Sequence, residues 1–489
     1  MPDDANRDHA GTVARKAAVG FRWLAGLRAT GQVLQWTTTI LVVRLLDPHD
    51  YGLLAMAAVF IGVFGLFSEI GLEAALVQKR EELGPLILRQ TFGLLLLVNF
   101  GCAIALVAGA GIVSRFYGEP QVQLILMVLA AKLPIGVFGM IPRTLLLRRL
   151  AFRELALAQF GMSVVSATLT LGLAWAGFGV WSLVIGNLTA VLVQTLLLNW
   201  LQPFFHWPIF SYRNMREELG FGGFVLSERV LWYLYSWADM AIIGRLLGAD
   251  PTGIYSVGKD LGGAPVTKLS PLLSQVAFPA LSKLQGQPVI ARHYYLRGVR
   301  LLSAIMFPVA FGMSAVAPVL IPVVLGEKWA LSLVPLVCFS LIGPLRVVNT
   351  TLTALLRGIG RPAVSLGNTA LAAVLTIAAV VAGAHWGVVG VSIGRLVSFP
   401  PYFIMAIVLS SKYTGIGLLQ VLGAMSRSFA AAAIMAIGVA LLSTSDLLGP
   451  TQMVAVSVPI LLGVVIYGGL MMLIDRESIA EAILVIRQK

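Results

Sequence analysis

The sequence predicts an all-α integral membrane protein of fourteen transmembrane helices, folded as two pseudo-symmetric six-helix lobes in parallel repeat plus two C-terminal helices. Composition is the first reason. Of 489 residues, 58% are hydrophobic and 12% charged, with a mean hydropathy of +0.89, whereas a soluble domain carries about 25% charged residues. Apolar runs long enough to cross a bilayer, roughly 20 residues each, recur along the whole chain rather than at one end. The third reason is repetition. Arg28, Trp36, Arg44, Leu45, Leu46 and Gly52 return 201 residues later as Arg229, Trp237, Arg245, Leu246, Leu247 and Gly253. Gly179, Val180, Ile185, Gly186 and Leu188 return 208 residues later as Gly387, Val388, Ile393, Gly394 and Leu396. Echoes at two separate places mark a duplicated chain.

The first six spans read as 21–44, 51–77, 88–114, 121–142, 155–176 and 180–201. Asp47-Pro48, Tyr117-Gly118-Glu119-Pro120 and Gly177-Phe178-Gly179 part them, because Gly and Pro punctuate helices. The second six read as 222–244, 253–281, 299–323, 329–356, 364–384 and 387–410, with turns at Asp250-Pro251 and Gly360-Arg361-Pro362. Spans 420–443 and 451–474, parted by Gly449-Pro450, lie outside the duplication. The domains follow: 1–201 the N-terminal lobe, 202–219 a cytoplasmic linker, 220–412 the C-terminal lobe, 413–474 the two extra helices and 475–489 a cytoplasmic tail with the look of a short interfacial helix. Pro134, Gly136 and Gly139 in the fourth span, and Gly262, Gly263, Pro265 and Pro271 in the eighth, are expected to bend or break those helices.

Charge tests this map independently of hydropathy. With the N-terminus cytoplasmic, the inner segments hold 23 of the 35 basic residues, among them Arg143, Arg148, Arg149, Arg153, Arg357 and Arg361. The outer connections hold four: Arg44, Arg115, Arg245 and Lys328. This positive-inside bias places both termini in the cytoplasm and accounts for the net charge of +13 without nucleic acid as a partner. The first twenty residues are polar, so no cleavable signal peptide is expected. Cys102 and Cys338 lie in apolar runs without CxxC spacing, so neither a metal nor a disulfide is indicated and no cofactor is expected.

Eight bases remain inside spans: Arg28, Lys132, Arg229, Lys259, Lys268, Arg346, Arg395 and Arg427. Acids at depth are Glu69, Glu73, Glu228, Asp239 and Asp260. Each such charge costs roughly 2.5–3.5 kcal/mol on insertion scales, so the set must face protein or water, which implies a hydrated cavity of net positive charge. In the first span Arg28, Gln32, Gln35 and Thr39 share one helical stripe; in the seventh, Arg229, Tyr233, Ser236 and Asp239 or Met240 match it. Two symmetry-related stripes should face each other across a pseudo-two-fold axis, and an arginine fork from each suits a diphosphate, because guanidinium binds phosphate oxygens bidentately and stays charged. The competing reading is structural, with Arg28 and Arg229 paired to Glu69, Glu73, Glu228 or Asp239. Lys132 and Lys259 are further substrate-binding candidates, although Lys259 adjoins Asp260 and is open to local pairing. Lys268, Arg346, Arg395 and Arg427 fall nearer span ends, where long side chains snorkel. Asp239 and Glu69 are candidates for ion coupling or for counter-ions.

Val43-Arg44-Leu45-Leu46-Asp47-Pro48-His49-Asp50-Tyr51-Gly52, followed by Phe67-Ser68-Glu69-Ile70-Gly71-Leu72-Glu73-Ala74-Ala75-Leu76-Val77-Gln78, closely resembles the polysaccharide transporter family. Its members are Wzx-type flippases for lipid-linked oligosaccharides, within the multidrug/oligosaccharidyl-lipid/polysaccharide (MOP) superfamily. Asp239 to Gly248, Gly253-Ile254-Tyr255-Ser256 and Phe278-Pro279-Ala280-Leu281-Ser282 extend the match over nearly the whole chain. The resemblance implies two V-shaped lobes around a cationic cavity, alternating access, a polyprenyl-diphosphate oligosaccharide as cargo, and residence in the bacterial inner membrane beside glycosyltransferases and a polymerase. Arg28 and Arg229 are similar in placement to the cavity-lining cations of such flippases. No motif for an ion-coupling residue can be carried over.

Two rivals remain. A cation or drug antiporter like the multidrug (MATE) transporters shares the fold, but its cavity needs anionic or aromatic character, and eight bases against five acids point the other way. A membrane polysaccharide polymerase or glycosyltransferase needs a sizeable outer loop with catalytic residues, and the predicted outer connections are short. No G-x-x-x-x-G-K-[ST] loop is present, which argues against direct use of ATP. The expected function is therefore a non-enzymatic flippase for exopolysaccharide, O-antigen or capsule synthesis. Its partners would be the lipid-linked oligosaccharide, membrane lipids and the enzymes that make and polymerise the glycan.

Overall fold

The computed structural model describes residues 26–27, 29–68, 76, 84–211, 216–282, 288–443 and 452–475, and at 216–228, 271–282, 288 and 452–455 only the backbone. Among these residues there is no strand. Helix α1 covers 29–45. It is followed by α2 (Pro48–Ser68), α3 (Pro85–Tyr117), α4 (Pro120–Ala130), α5 (Lys132–Arg148), α6 (Phe152–Trp175) and α7 (Val180–Leu201). Then come α8 (Arg216–Leu247), α9 (Ala249–Ser282), α10 (Pro288–Val324), α11 (Leu333–Gly358), α12 (Pro362–Gly383), α13 (Gly387–Thr414), α14 (Leu418–Ser443) and α15 (Gln452–Ile474). Ten helical segments among the described residues are long and apolar enough to cross a bilayer, so the chain is a multi-pass membrane protein. The outward side chains agree: α15 exposes Leu461, Val464, Val465 and Leu473, which water would penalise and lipid tails accept.

By contact the chain forms two compact units, Met1–Tyr233 and Leu234–Lys489. Within the first, α6 packs on α7, α5 on α7, α3 on α4 and α5, and α2 on α4. Within the second, α12 packs on α13, α11 on α13, α10 on α11, and α9 on α11, while α14 and α15 add to α10. The same pairings therefore occur twice, as the sequence echoes predict.

Backbone conformation explains which residues had to repeat. Gly179 and Gly387, partners in the second echo, have φ of 53° and 64° at the start of α7 and α13. Gly118 and Gly326, which also lie 208 residues apart, have φ of 76° and 98° where α3 and α10 end. Left-handed backbone is nearly free for glycine and strained for other residues. Gly186 and Gly394 repeat for a different reason, close helix approach. A Cβ on Gly186 would collide with Thr170 Oγ1 of α6, and one on Gly394 would lie 2.5 Å from the Ala379 carbonyl oxygen of α12.

The fourth predicted span is two helices that meet at Ala131. Pro134 is the cause: it has no N–H for the Ala130 carbonyl and its ring crowds that oxygen, so α4 stops there. The eighth span behaves otherwise, since α9 runs unbroken through Gly262, Gly263, Pro265 and Pro271. Gly262 serves packing there, because a Cβ would strike the Leu336 carbonyl of α11. The polar N-terminus, Arg28, Glu69, Glu73 and the tail after Asp475 lie outside the described residues, and of Glu228 only the backbone is described.

Candidate functional site

In the first unit, α1 carries a half-buried Gln32, while Arg229 on α8 is exposed. Tyr233, one turn beyond Arg229, is buried, and its hydroxyl donates to the Val59 carbonyl of α2 at 2.9 Å, with the Ala58 carbonyl at 3.2 Å. Gly62, one turn further along α2, makes room for that ring, since a Cβ there would collide with the hydroxyl. Lys132 is half-buried where α5 begins and donates to Asn187 Oδ1 of α7 at 3.3 Å.

A denser polar cluster lies within the second unit. Asp239 on α8 is 0% exposed. Its Oδ1 accepts from Lys259 Nζ of α9 at 2.7 Å, and its Oδ2 accepts from the Tyr255 hydroxyl at 2.9 Å. Lys259 also donates to the Ser236 carbonyl at 2.9 Å and lies 5.4 Å from the centre of the Trp237 ring and 5.6 Å from that of Phe339. This ammonium therefore keeps both ionic and cation–π partners out of water. Arg395 of α13 is 2% exposed, with its guanidinium carbon 4.6 Å from the centre of the Tyr235 ring. Arg346 of α11 is half-buried. Asn349, three residues along α11, donates to the Tyr402 hydroxyl of α13 at 2.8 Å.

Each of four helices thus supplies a pair at helical spacing: Tyr235 and Asp239 on α8, Tyr255 and Lys259 on α9, Arg346 and Asn349 on α11, Arg395 and Tyr402 on α13. Two expectations are corrected. Lys259 pairs with Asp239 rather than with its neighbour Asp260, which is exposed. Arg395 does not snorkel but is buried against the Tyr235 ring, on a helix that packs against α11 and α9. Arg427 on α14 has an acidic partner, Asp475 Oδ1, at 3.4 Å. The second echo held a signal for Arg395, since it falls opposite Asn187, a polar position inside an apolar run in both copies. Among the described residues no group of His, Cys, Asp and Glu could hold a metal ion.

Residues 41–334 match the family described as polysaccharide biosynthesis protein. The chain is similar to the lipopolysaccharide biosynthesis protein WzxC of Escherichia coli (strain K12), with 27% identity over 82% of this chain and 83% of that one. It is similar also to the succinoglycan biosynthesis transport protein ExoT of Rhizobium meliloti (strain 1021), with 24% identity over 72% and 71%. Among solved structures the fold is similar to the lipid II flippase MurJ in an inward closed conformation, with a TM-score of 0.76, 13% identity and coverage of 93% of this chain and 99% of that one. An inward-facing multidrug MATE transporter of the MOP superfamily gives a TM-score of 0.60 at 17% identity, over 78% and 94%.

Proposed function

Because the chain belongs to the polysaccharide biosynthesis protein family, we propose that it is a flippase. It moves polyprenyl-diphosphate-linked oligosaccharide units across the bacterial inner membrane by alternating access, for exopolysaccharide, O-antigen or capsule synthesis. The family match carries this reading; the roles of similar proteins, lipopolysaccharide biosynthesis, succinoglycan biosynthesis transport and a flippase for lipid II, support it. Counting α12 and α13 as two spans, and adding α1, α8 and α9 to the other apolar segments, gives fourteen. Both termini are cytoplasmic. The division is into lobes 1–201 and 220–412, linker 202–219, extra helices 413–474 and tail 475–489.

Arg28, Gln32 and Arg229 contact the diphosphate in this reading, and Tyr233 orients Arg229 by fixing its helical turn on α2. Lys132 adds positive charge from α5. Lys259 contributes charge while Asp239 serves as its counter-ion; Glu69 is the remaining candidate for a counter-ion or coupling acid. Positive charge offsets desolvation of the diphosphate while the lipid tail stays in the bilayer. Glycosyltransferases and a polymerase are the expected neighbours in the membrane.

Deletion in the native host should leave an oligosaccharide-lipid on the inner leaflet, and chains with Arg28→Ala or Arg229→Ala should express normally yet fail to clear it. Altered drug efflux with no such lipid would favour the antiporter instead.

A further inference from the structure

Arg395 has a deficit that the rest of the second unit does not meet. Its Nε and Nη1 are buried and have no hydrogen-bond partner among the described residues. A buried guanidinium is costly unless its donors are satisfied. Tyr235 covers one face of the group, but Nε and Nη1 stay unmet. The nearby carboxylate is already committed, since both Asp239 oxygens accept from Lys259 or Tyr255. Arg346 adds a second guanidinium one turn before Asn349, whose bond to Tyr402 ties that part of α11 to α13. Among the described residues the cluster holds three cations, Lys259, Arg346 and Arg395, against two carboxylates, the buried Asp239 and the exposed Asp260 beside Lys259. One hydroxyl can also donate: Tyr402 accepts from Asn349, which leaves its own O–H as a donor. What is missing is negative, rich in acceptors and matched to planar forks.

We propose that Arg395 and Arg346, with the Tyr402 hydroxyl, form an oxyanion-binding site inside the second unit. The ligand is a phosphoryl group, from a lipid-linked diphosphate or from free phosphate. It enters from the side of Arg346 and Asn349, two half-buried members of the cluster. Arg395 binds it through Nε and Nη1, the fork geometry that phosphate oxygens match. The site stands whether or not the transport reading does, because binding is read without transport.

The test uses the full chain in detergent, titrated with inorganic pyrophosphate and, separately, with a short-chain polyprenyl diphosphate, while tryptophan emission and thermal unfolding are followed. Arg395→Gln should weaken binding about 10- to 100-fold, the scale of one lost charge-assisted fork. Arg346→Gln should also weaken it and keeps the test decisive if the Arg395 variant does not fold. Lys412→Gln removes one exposed positive charge elsewhere and should leave affinity unchanged. Tighter binding of the polyprenyl compound assigns the site to the lipid-linked ligand, and equal binding assigns it to free anion; both support the site. Affinity within twofold of the parent in both arginine variants, or no binding of either probe, overturns it.

Discussion

Leu150 and Gly360 occupy equivalent places in the two units, 210 residues apart, and both have left-handed backbone, with φ of 55° and 76°. Each sits just before the helix that opens the last pair of its repeat, α6 or α12. The conformation is free for Gly360 and costs about 1–2 kcal/mol for a residue with a Cβ. Leu150 is exposed, so little packing is lost with its side chain. Leu150→Gly is expected to raise the thermal unfolding midpoint in detergent, by relief of about 1 kcal/mol, and Gly360→Leu to lower it. Equal loss of stability in both variants would count against strain as the reason.

The buried ion pair of Lys259 and Asp239 predicts a non-additive result. Asp239→Leu leaves an ammonium without its counter-ion, and Lys259→Met leaves a carboxylate, so each should cost about 3–5 kcal/mol. The double variant Asp239→Leu with Lys259→Met removes both charges and should cost much less than the sum. Unfolding in mixed micelles reads the cycle, and strict additivity would show that the two groups do not depend on each other.

Tyr233 and Gly62 should couple in a similar way within the first unit. Tyr233→Phe forfeits the bond to Val59 and should cost about 1 kcal/mol. Gly62→Ala forces a methyl group into the hydroxyl and should cost about 1–3 kcal/mol. Added to Tyr233→Ala, which clears the space, the same Gly62→Ala should cost nothing further. An undiminished cost there would place the harm in α2 itself.

Much of this architecture was legible because local chemistry enforces it. Pro48, Pro85, Pro120 and Pro362 each open a helix and mark its boundary in the chain. The echoing glycines at 179 and 387 were visible as letters before their φ angles supplied the reason. The break at Ala131 was foreshadowed by Pro134, although its position follows from which carbonyl the proline ring displaces. The Asp239–Lys259 pair was hidden, because it depends on how α8 and α9 rotate about their axes, and hydropathy carries no such phase. Arg395 was misjudged for the same reason: eight residues into α13, it lies as near the span end as a snorkelling residue would. Only the packing of α11 and α13 turns it inward.

Topology offers a further prediction, since the span map read from the sequence puts 23 basic residues on one side against four on the other, and such a bias favours the basic side as cytoplasmic. Phe178, in the turn between α6 and α7, should face outward from the cytoplasm, and Leu150, between α5 and α6, should face the cytoplasm. Both side chains are exposed, so single cysteines there, in a chain carrying Cys102→Ser and Cys338→Ala, should react readily. Arg148, Arg149 and Arg153 surround the Leu150 position, and no base lies in the turn that holds Phe178. In spheroplasts a membrane-impermeant maleimide should therefore label Phe178→Cys at once and Leu150→Cys only after permeabilisation. The reverse pattern would invert the protein in the membrane. Labelling of both positions from outside would show that α6 does not cross.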